Sequence, residues 1–196
     1  MLPFALATIA VTEFISLDGV VEDPGGSEDF KYSGWTFEID RGDDGGAFKL
    51  EETMGSDALL LGRVTYEGFA EAWPSREGEF AEKFNTMPKY VVSTTLKEPD
   101  WNNTTVLDGD VVHAVSKLQA DTEGEIVVHG SIQLAQTLLE HDLVDELRLI
   151  LFPVVLGQGK RLFGETSDKK TLELAESRAV GDGVVILIYR RKERAA

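Results

Sequence analysis

Four short runs of β-branched and other apolar residues mark the first two thirds of the chain. Each run is almost continuously apolar, which is typical of strands that are covered on both faces of a parallel sheet. The predicted strands are Phe4–Ile15, Ala58–Leu61, Tyr90–Val92 and Ile126–Val128. The pattern therefore predicts a mostly parallel central sheet.

Helix-like stretches separate these runs. In Val64–Trp73, four apolar side chains recur on one face, and Pro74 ends the pattern. The same period marks Asp110–Ala120, which begins with a good capping residue, and Ser131–Glu140. Alternating strands and helices predict one α/β domain over residues 1–196, with helices on both faces of the sheet.

The last third changes character. Glu146–Pro153, Thr171–Arg178 and Val184–Arg190 predict strands with no helix between them, which indicates antiparallel additions at one edge of the sheet. Earlier in the chain, Glu22–Gly46 is rich in Gly, Asp and Pro but carries four aromatic residues. We expect this segment to cover a ligand site or to contact a second subunit.

Composition narrows the range of functions. The 196 residues include 19 Lys+Arg and 35 Asp+Glu, for a formal net charge of −16. This excess of acid argues against binding to nucleic acids or to anionic membranes. The absence of cysteine excludes disulfides, thiol catalysis and thiolate zinc sites, and no acid–histidine cluster has the spacing of another metal site. Without a secretory start or a membrane-length apolar run, we expect a cytoplasmic protein.

Polar residues and glycines follow three of the predicted strands. Gly62 and Arg63 follow the second strand, Ser93 follows the third, and Gly130 and Ser131 follow the fourth. The carboxyl ends of parallel strands and the free N–H groups of the next helices meet at one edge, where anionic ligands bind. A glycine at a single turn serves backbone geometry equally well. Three converging junctions favour a dinucleotide, although neither a P-loop nor a Gly-x-Gly-x-x-Gly turn is present.

Five motifs follow one another along nearly the whole chain. They are Glu13–Val21, Leu60–Glu67, Lys89–Thr95, His129–Ser131 and Phe152–Gly157. In this order they resemble the dihydrofolate reductase-like superfamily, and more closely the family of the C-terminal reductase domain of the riboflavin-biosynthesis deaminase–reductase. The resemblance implies a three-layer α/β fold that binds NADPH across the carboxyl edge of the sheet and delivers a hydride to a C=N or C=O group.

The resemblance also assigns cofactor-binding residues by position. They are Phe14, then Gly62, Arg63, Val64 and Thr65 at the adenosine and pyrophosphate, Ser93, Thr94 and Thr95 at the ribose phosphate, and His129, Gly130, Ser131, Ile132 and Gln133 at the second phosphate turn. Arg63 beside Thr95 would favour NADPH over NADH, because a forked cation and a hydroxyl suit a 2′-phosphate. The usual Gly-Gly pair of the family is Gly130-Ser131 here, and this serine could either crowd the pyrophosphate or donate a hydrogen bond to it.

Candidate catalytic and substrate residues are fewer. Glu13 lies in an apolar run, and a buried carboxyl there could donate a proton near neutral pH; an exposed strand end or an arginine pair is the alternative. Asp18 is interpreted as a turn former or as a site residue of the loop that covers nicotinamide. Trp35 and Phe37 could stack on a flat substrate or pack between subunits, and Tyr66 joins them as a substrate candidate.

Two residue types lack an obvious catalytic role. Glu51 and Glu52 are predicted to lie on a solvated helix face, and neither aligns with the acid that binds the pterin ring in dihydrofolate reductases. His129 is interpreted as a hydrogen-bonded core histidine in preference to a catalytic one. Folate reduction is accordingly disfavoured, and the zinc-dependent deaminase half of the riboflavin enzyme is excluded by the absence of cysteine.

The leading hypothesis is an NADPH-dependent reductase of a small planar heterocycle, resembling the 5-amino-6-(5-phosphoribosylamino)uracil reductase domain of the riboflavin pathway. Hydride chemistry belongs to the cofactor, so the chain need supply only orientation, an apolar site and one acid. The alternative is a non-catalytic module that kept the fold for ligand binding or dimerisation, including pairing through the closing strand Val184–Arg190. We expect a homodimer in either case.

Overall fold

An eight-stranded sheet runs through the computed structural model, which describes residues 6–192 of the chain. The strands are β1 (Thr8–Ser16), β2 (Ala58–Gly62), β3 (Lys89–Val92), β4 (Thr104–Leu107), β5 (Glu125–His129), β6 (Glu146–Phe152), β7 (Leu172–Val180) and β8 (Val184–Arg191). The helices are α1 (Gly42–Gly55), α2 (Arg63–Ala72), α3 (Glu79–Thr86), α4 (Val111–Asp121) and α5 (Ile132–Glu140), with a 3₁₀ turn at Trp35–Glu38. In the sheet the order is β4-β3-β2-β5-β1-β6-β8-β7.

β1 lies at the centre of the sheet and pairs in parallel with β5 on one side and β6 on the other. The register places Thr12 beside both His129 and Arg148. β2, β3 and β4 continue the parallel part. The predicted mostly parallel α/β fold is confirmed. Phe4 and Ala5 of the predicted first strand lie outside the described residues.

The C-terminal strands correct one part of the prediction. Only β7 and β8 add in antiparallel fashion, whereas β6, predicted as an antiparallel addition, is parallel to β1. The reason is that α5 carries the chain from β5 across the sheet, and such a crossover restores the strand direction. β8 lies between β6 and β7, so the closing strand is internal and β7 is the edge strand.

The two faces of the sheet have different covers. Val11 and Ile15 of β1 pack in the core that includes Val115 of α4 and Leu138 of α5. The alternate residues of β1, such as Phe14, face the second core, which includes Phe48 of α1. Because side chains alternate along a strand, neighbouring residues of β1 belong to different cores.

Helix α1 was not predicted, and it begins inside the segment Glu22–Gly46 that we expected to be a loop. Its buried face includes Lys49, Glu52 and Thr53, so no apolar stripe marks it in the sequence. Glu52 is therefore buried, and the expectation of a solvated helix face is wrong for this residue. The sequence pattern does not predict α3 or β4 either, since both are short.

Candidate cofactor and substrate site

The N-termini of α2 and α5 are held together at the carboxyl edge of the sheet. The backbone N–H of Gly62 donates to Ser131 Oγ (2.9 Å), and the backbone N–H of Ser131 donates to Thr65 Oγ1 (3.0 Å). A Cβ atom on Gly130 would lie 3.4 Å from Thr65 Cγ2, so the two turns are in close contact. The structure thus brings together two of the three segments that the sequence assigned to the cofactor.

Neither helix is capped by a side chain. Ser131 stands at the N-cap of α5, yet its hydroxyl bonds Gly62 and also donates to the carbonyl of His129 (3.2 Å). The first-turn N–H groups of Arg63 and Val64, and those of Ile132 and Gln133, have no capping side chain. Two helix N-termini with free donors are an arrangement that favours anions.

The serine that replaces a glycine in the second turn has a structural role. Ser131 has φ +60°, in the left-handed region that costs a non-glycine residue about 1 kcal/mol. Its hydroxyl joins the two turns by accepting the Gly62 N–H and closes its own turn by donating to the His129 carbonyl, and these two bonds offset the cost. The hydroxyl is thus directed at the junction between the two turns.

The third predicted segment lies next to the first, because β3 pairs with β2. The Ser93 hydroxyl accepts the N–H groups of Thr95 (3.1 Å) and Leu96 (2.9 Å), which closes a turn. Thr94 and Thr95 are exposed on this turn. Arg63, on the neighbouring strand end, pairs its Nη1 with both carboxylate oxygens of Glu67 (2.8 and 3.0 Å) at half-exposed positions.

The face of β1 that looks toward α1 carries Phe14 and two nearby cations. The Arg41 guanidinium lies 5.4 Å and the Lys49 ammonium 5.6 Å from the centre of the Phe14 ring. Lys49 also donates to Thr12 Oγ1 (3.1 Å) and pairs with Glu52. Sequence reasoning missed both cations, and only their proximity in the fold identifies them.

A charged network continues below Lys49 toward the amino ends of the strands. Arg148 binds both carboxylate oxygens of Glu125 (3.0 and 2.5 Å) and one oxygen of Glu146 (2.6 Å). It also lies 3.6 Å from Glu52. Three carboxylates around one partly buried guanidinium make this a structural unit between α1 and the sheet.

His129 lies beside Thr12 in this layer, and its ring meets Phe84 edge-on at 5.2 Å. Burial, together with the charges of Lys49 and Arg148, lowers the pKa of His129 well below its usual range. Its Nε2 has no hydrogen-bond partner among the described residues. The side chain is therefore a neutral core imidazole, but within residues 6–192 it is not hydrogen-bonded at Nε2 as the sequence interpretation expected. The backbone carbonyl of His129 accepts the Ser131 hydroxyl.

Glu13 is buried, but it does not share a face with Phe14. Val11 and Ile15, two residues before and after Glu13 on β1, share its face of the strand and belong to the core under α4 and α5. Burial raises the pKa of Glu13 to about 8; Lys49 opposes this shift and Glu52 adds to it. Glu13 therefore keeps its proton at neutral pH, and the alternation of side chains along β1 places it on the face of the strand opposite Phe14.

Asp18 organises a loop. Burial alone would raise the pKa of Asp18, but hydrogen bonds from the Ser16 hydroxyl and the N–H groups of Leu156 and Gly157 outweigh it and lower the pKa to about 2. Asp18 is ionised at neutral pH and has no proton to donate, so the turn-forming interpretation describes its contacts.

The three substrate candidates are scattered. Trp35 is buried, with its ring edge-on to Phe152 (5.5 Å) and its indole N–H on the carbonyl of Glu22 (2.9 Å). Tyr66 is also buried, and its hydroxyl accepts the N–H of Trp101 (2.9 Å). Phe37 is 78% exposed. Neither Trp35 nor Tyr66 presents a free ring face at the surface, because both pack in the cores that cover the sheet.

An apolar groove of about 500 Å³ lies on the face of the sheet opposite α1, and no residue of α5 lines it. Its walls include Leu149, Leu151, Leu187, Tyr189 and Phe163. Within residues 6–192 no three His, Asp or Glu side chains are grouped so that they could hold a metal ion. No helix in the same range is long and apolar enough to cross a membrane.

The eight-stranded sheet and its flanking helices form the dihydrofolate reductase-like α/β fold that the sequence predicted. The family model of the RibD C-terminal domain matches residues 7–186, and the chain belongs to this family. Two proteins of Bacillus subtilis (strain 168) are similar in sequence, and both are named uncharacterized. YyaP is 32% identical over 138 residues, which are 68% of this chain and 73% of YyaP. YwjB is 25% identical over 176 residues, which are 90% of this chain and 94% of YwjB.

Solved structures show the same fold. A protein from Shewanella sp. PV-4, named for riboflavin biosynthesis, is 26% identical with a TM-score of 0.75, covering 95% of this chain and 99% of that one. A pyrimidine reductase-like protein from Corynebacterium diphtheriae is 15% identical with a TM-score of 0.66, covering 96% and 93%. RibD of Acinetobacter baumannii is 13% identical with a TM-score of 0.63, covering 96% of this chain and 59% of RibD.

Proposed function

We propose that this protein is an NADPH-dependent reductase that transfers a hydride to a small planar heterocycle. The observation that carries the proposal is the pair of uncapped N-termini of α2 and α5, joined through Ser131. A pyrophosphate has two anionic groups, and each helix offers donors to one of them. Membership of the RibD C-terminal domain family and the likeness to a protein named for riboflavin biosynthesis support a reductase-like role.

The preference for NADPH over NADH follows from Arg63. An exposed ion pair such as Arg63–Glu67 contributes little stability, so exchanging Glu67 for a ligand phosphate costs little. A 2′-phosphate would accept two parallel hydrogen bonds from the guanidinium. The exposed hydroxyls of Thr94 and Thr95 on the neighbouring turn would add further donors.

In this proposal, bound NADPH supplies the hydride, and the chain binds, orients and supplies a proton. Asp18 holds the loop that follows β1 through its bonds to Leu156 and Gly157. Glu13 is the candidate proton donor, because it is protonated at neutral pH.

Cofactor titration tests the proposal directly. We expect the fluorescence of NADPH to change on binding, and NADPH to bind at least about tenfold tighter than NADH, as one good charge-assisted contact predicts. Arg63→Ala should abolish this preference. Arg76→Ala is the matched control, because Arg76 lies over Trp73 (4.5 Å) at the far end of α2. Equal and weak binding of both cofactors by the unmodified protein would contradict the proposal.

The rival function is a non-catalytic ligand-binding module. It is favoured by the N–H groups of Gly62 and Ser131, which are already bonded inside the protein and so have less to offer a ligand. Turnover separates the two functions. A reductase should oxidise NADPH faster in the presence of some member of a panel of pterins, pyrimidinones and quinones, whereas a binding module would hold NADPH without consuming it.

We also propose that the protein forms a homodimer through the groove beside β6 and β8. Phe163 in the groove is 53% exposed, and such an apolar surface stands out on a chain with a net charge of −16. A two-fold axis would bring the same apolar surface of a second copy against it. Light scattering after gel filtration should give twice the chain mass. Phe163→Glu should give the monomer, whereas Val155→Glu, at an exposed apolar residue outside the groove, should not. A monomeric unmodified protein would refute the dimer.

A further inference from the structure

Glu13 is a buried acid that no donor group contacts. It is 3% exposed, its Oε1 is enclosed, and its carboxyl makes no hydrogen bond or ion pair within residues 6–192. Asp18, five residues later, offers a contrast, because the Ser16 hydroxyl and two backbone N–H groups bond its carboxylate. An apolar side chain in the place of Glu13 would avoid the cost of burying a polar group. Packing alone therefore gives no reason for an acid at this position.

The register of β1 and β5 places Glu13 level with the Gly130–Ser131 turn. The last pair of this register is Thr12 with His129, so Glu13 and Gly130 are the next residues along the two chain segments. Neighbouring strands lie about 4.8 Å apart. Glu13 is thus about one strand spacing from the turn that leads into α5.

The side chain of Glu13 lies on the face of the sheet that α5 covers. Val11 and Ile15 share this face of β1 and pack in the core that includes Leu134 of the first turn of α5. The residues of α5 before Glu140, its last residue, carry no charge. The partial charge that an anion meets at the start of α5 is therefore that of the helix itself.

An ionised Glu13 and a bound pyrophosphate would be two anions at one helix end. The uncapped N–H groups of Ile132 and Gln133 give the start of α5 a partial positive charge. A carboxylate at Glu13 would lie in the same field and would repel the phosphates, whereas a neutral carboxyl would not. This repulsion acts through space, so Glu13 needs no contact with the ligand to affect its binding.

Glu13 changes its charge just above neutral pH, because burial raises its pKa to about 8. Lys49 and Glu52 act on it from α1, on the opposite face, and they are paired with each other. His129 is neutral, because burial lowers its pKa. The remaining charged groups of the elements packed on this side are exposed or bonded: His113, Lys117 and Asp121 of α4, Glu140 of α5, Asp145 before β6, and Asp18 with Arg161 beyond the end of β1.

We propose that Glu13 controls the affinity for the cofactor through its charge: the protonated residue permits the pyrophosphate to bind at the start of α5, and the ionised residue opposes it. This inference rests on the proposed function, because it takes the start of α5 as the pyrophosphate site. It also links two equilibria, since a ligand that prefers the protonated form takes up a proton from water when it binds the ionised form.

Titrating NADPH at pH 7 and pH 9 tests the inference. A negative charge about 10 Å from a second one weakens binding by about tenfold at an effective dielectric constant of about 20. Binding would then raise the pKa of Glu13 from about 8 to about 9, and the affinity should fall about fivefold between pH 7 and pH 9. Equal affinity at both pH values, in a protein that circular dichroism shows to be folded, would overturn the proposal.

Variants assign the pH dependence to Glu13. Glu13→Gln carries a neutral amide in place of the neutral acid, so it should bind NADPH equally well at pH 7 and pH 9. Glu123→Gln, at an exposed position, is the matched control and should keep the loss of affinity. Lys89 is a second group whose pKa burial lowers to about 8, but it begins β3 at the opposite edge of the sheet and is present in both variants. A loss that persists in folded Glu13→Gln would refute the role of Glu13.

Proton uptake provides a second measurement on the unmodified protein. ADP-ribose carries the pyrophosphate without the nicotinamide or the 2′-phosphate. Calorimetry at pH 8.5, in two buffers that differ in ionisation enthalpy, should show about half a proton taken up for each ADP-ribose or NADPH bound. The absence of uptake with either ligand would overturn the proposal even if Glu13→Gln did not fold.

The two ligands separate this inference from the proposed function. NADPH that binds with the same affinity at pH 7 and pH 9 would refute the role of Glu13 and leave the proposed reductase standing. ADP-ribose binding that depends on the charge of Glu13, in a protein that binds no NADPH, would refute the proposed cofactor and leave the role of Glu13 standing. A protein that binds neither ligand at millimolar concentration would refute both.

Discussion

Replacing Glu13 with glutamine should remove the loss of stability that this buried acid causes as pH rises from 5 to 8. The Glu13 carboxyl is buried, Oε1 has no hydrogen-bond partner among the described residues, and its pKa is raised from 4.5 to about 8. In the unfolded chain the same group ionises near its ordinary pKa. Between these two values the folded protein binds more protons than the unfolded one, so stability falls as pH rises.

The size of this effect follows from the two pKa values. Each pKa unit corresponds to about 1.36 kcal/mol, and partial titration at the ends of the interval reduces the sum. Over the three pH units from 5 to 8, Glu13 should therefore cost on the order of 3 kcal/mol of the free energy of unfolding. Below about pH 4.5 the group is protonated in both states, and the cost disappears.

Urea unfolding of Glu13→Gln and the unmodified protein at pH 5, 6, 7 and 8 measures this difference. We expect the two free energies of unfolding to diverge steadily, with the variant gaining relative stability as pH rises. Glu123→Gln, at an exposed position, is the control and should run parallel to the unmodified protein. Parallel curves for Glu13→Gln would show that Glu13 ionises freely in the folded state, and the argument for a protonated buried acid would fail.

Three further substitutions test the contacts described above. Arg148→Met should lower the free energy of unfolding by about 3 kcal/mol, because it leaves the buried Glu52 and the partly buried Glu125 and Glu146 without this cation, whereas Arg190→Met, at a 68% exposed side chain, should cost under about 1 kcal/mol in the same urea assay. Ser131→Ala removes the acceptor for the Gly62 N–H, so it should cost about 1–2 kcal/mol and weaken NADPH binding in a fluorescence titration; unchanged values would refute the link between the two turns. Asp18→Asn should speed amide hydrogen exchange at Leu156 and Gly157, whose N–H groups bond the Asp18 carboxylate. Unaltered exchange would show that these bonds do not hold the loop.

The parallel sheet and three of its helices, α2, α4 and α5, could be predicted because their signals are local. The apolar run Ala58–Leu61 lies within β2, and the predicted helices Val64–Trp73 and Ser131–Glu140 differ from α2 and α5 by one residue at an end. The sequence also predicts that the Gly62 and Gly130–Ser131 turns lie at the same edge of the sheet, since parallel strands end at one edge. It does not predict that β2 and β5 are neighbours, so the direct contact between the two turns is established only by the structure.

What could not be predicted depends on contacts between distant residues. A helix whose buried face carries Lys49 and Glu52 has no apolar stripe, and these charges are accommodated only because Thr12 and Arg148 arrive from other strands. The direction of β6 depends on its partner strands, and its own apolar run is compatible with either direction. Arg41 carries no motif at all, and its place over Phe14 is visible only in three dimensions.

The central claim is that α2 and α5 together hold the pyrophosphate of a nicotinamide dinucleotide. A crystal structure of the protein with NADPH tests it most directly. We predict phosphate oxygens within hydrogen-bond distance of backbone N–H groups of Arg63 or Val64 on one helix and of Ile132 or Gln133 on the other. A dinucleotide bound elsewhere, for example in the groove beside Tyr189, or no bound cofactor at millimolar NADPH, would contradict the account.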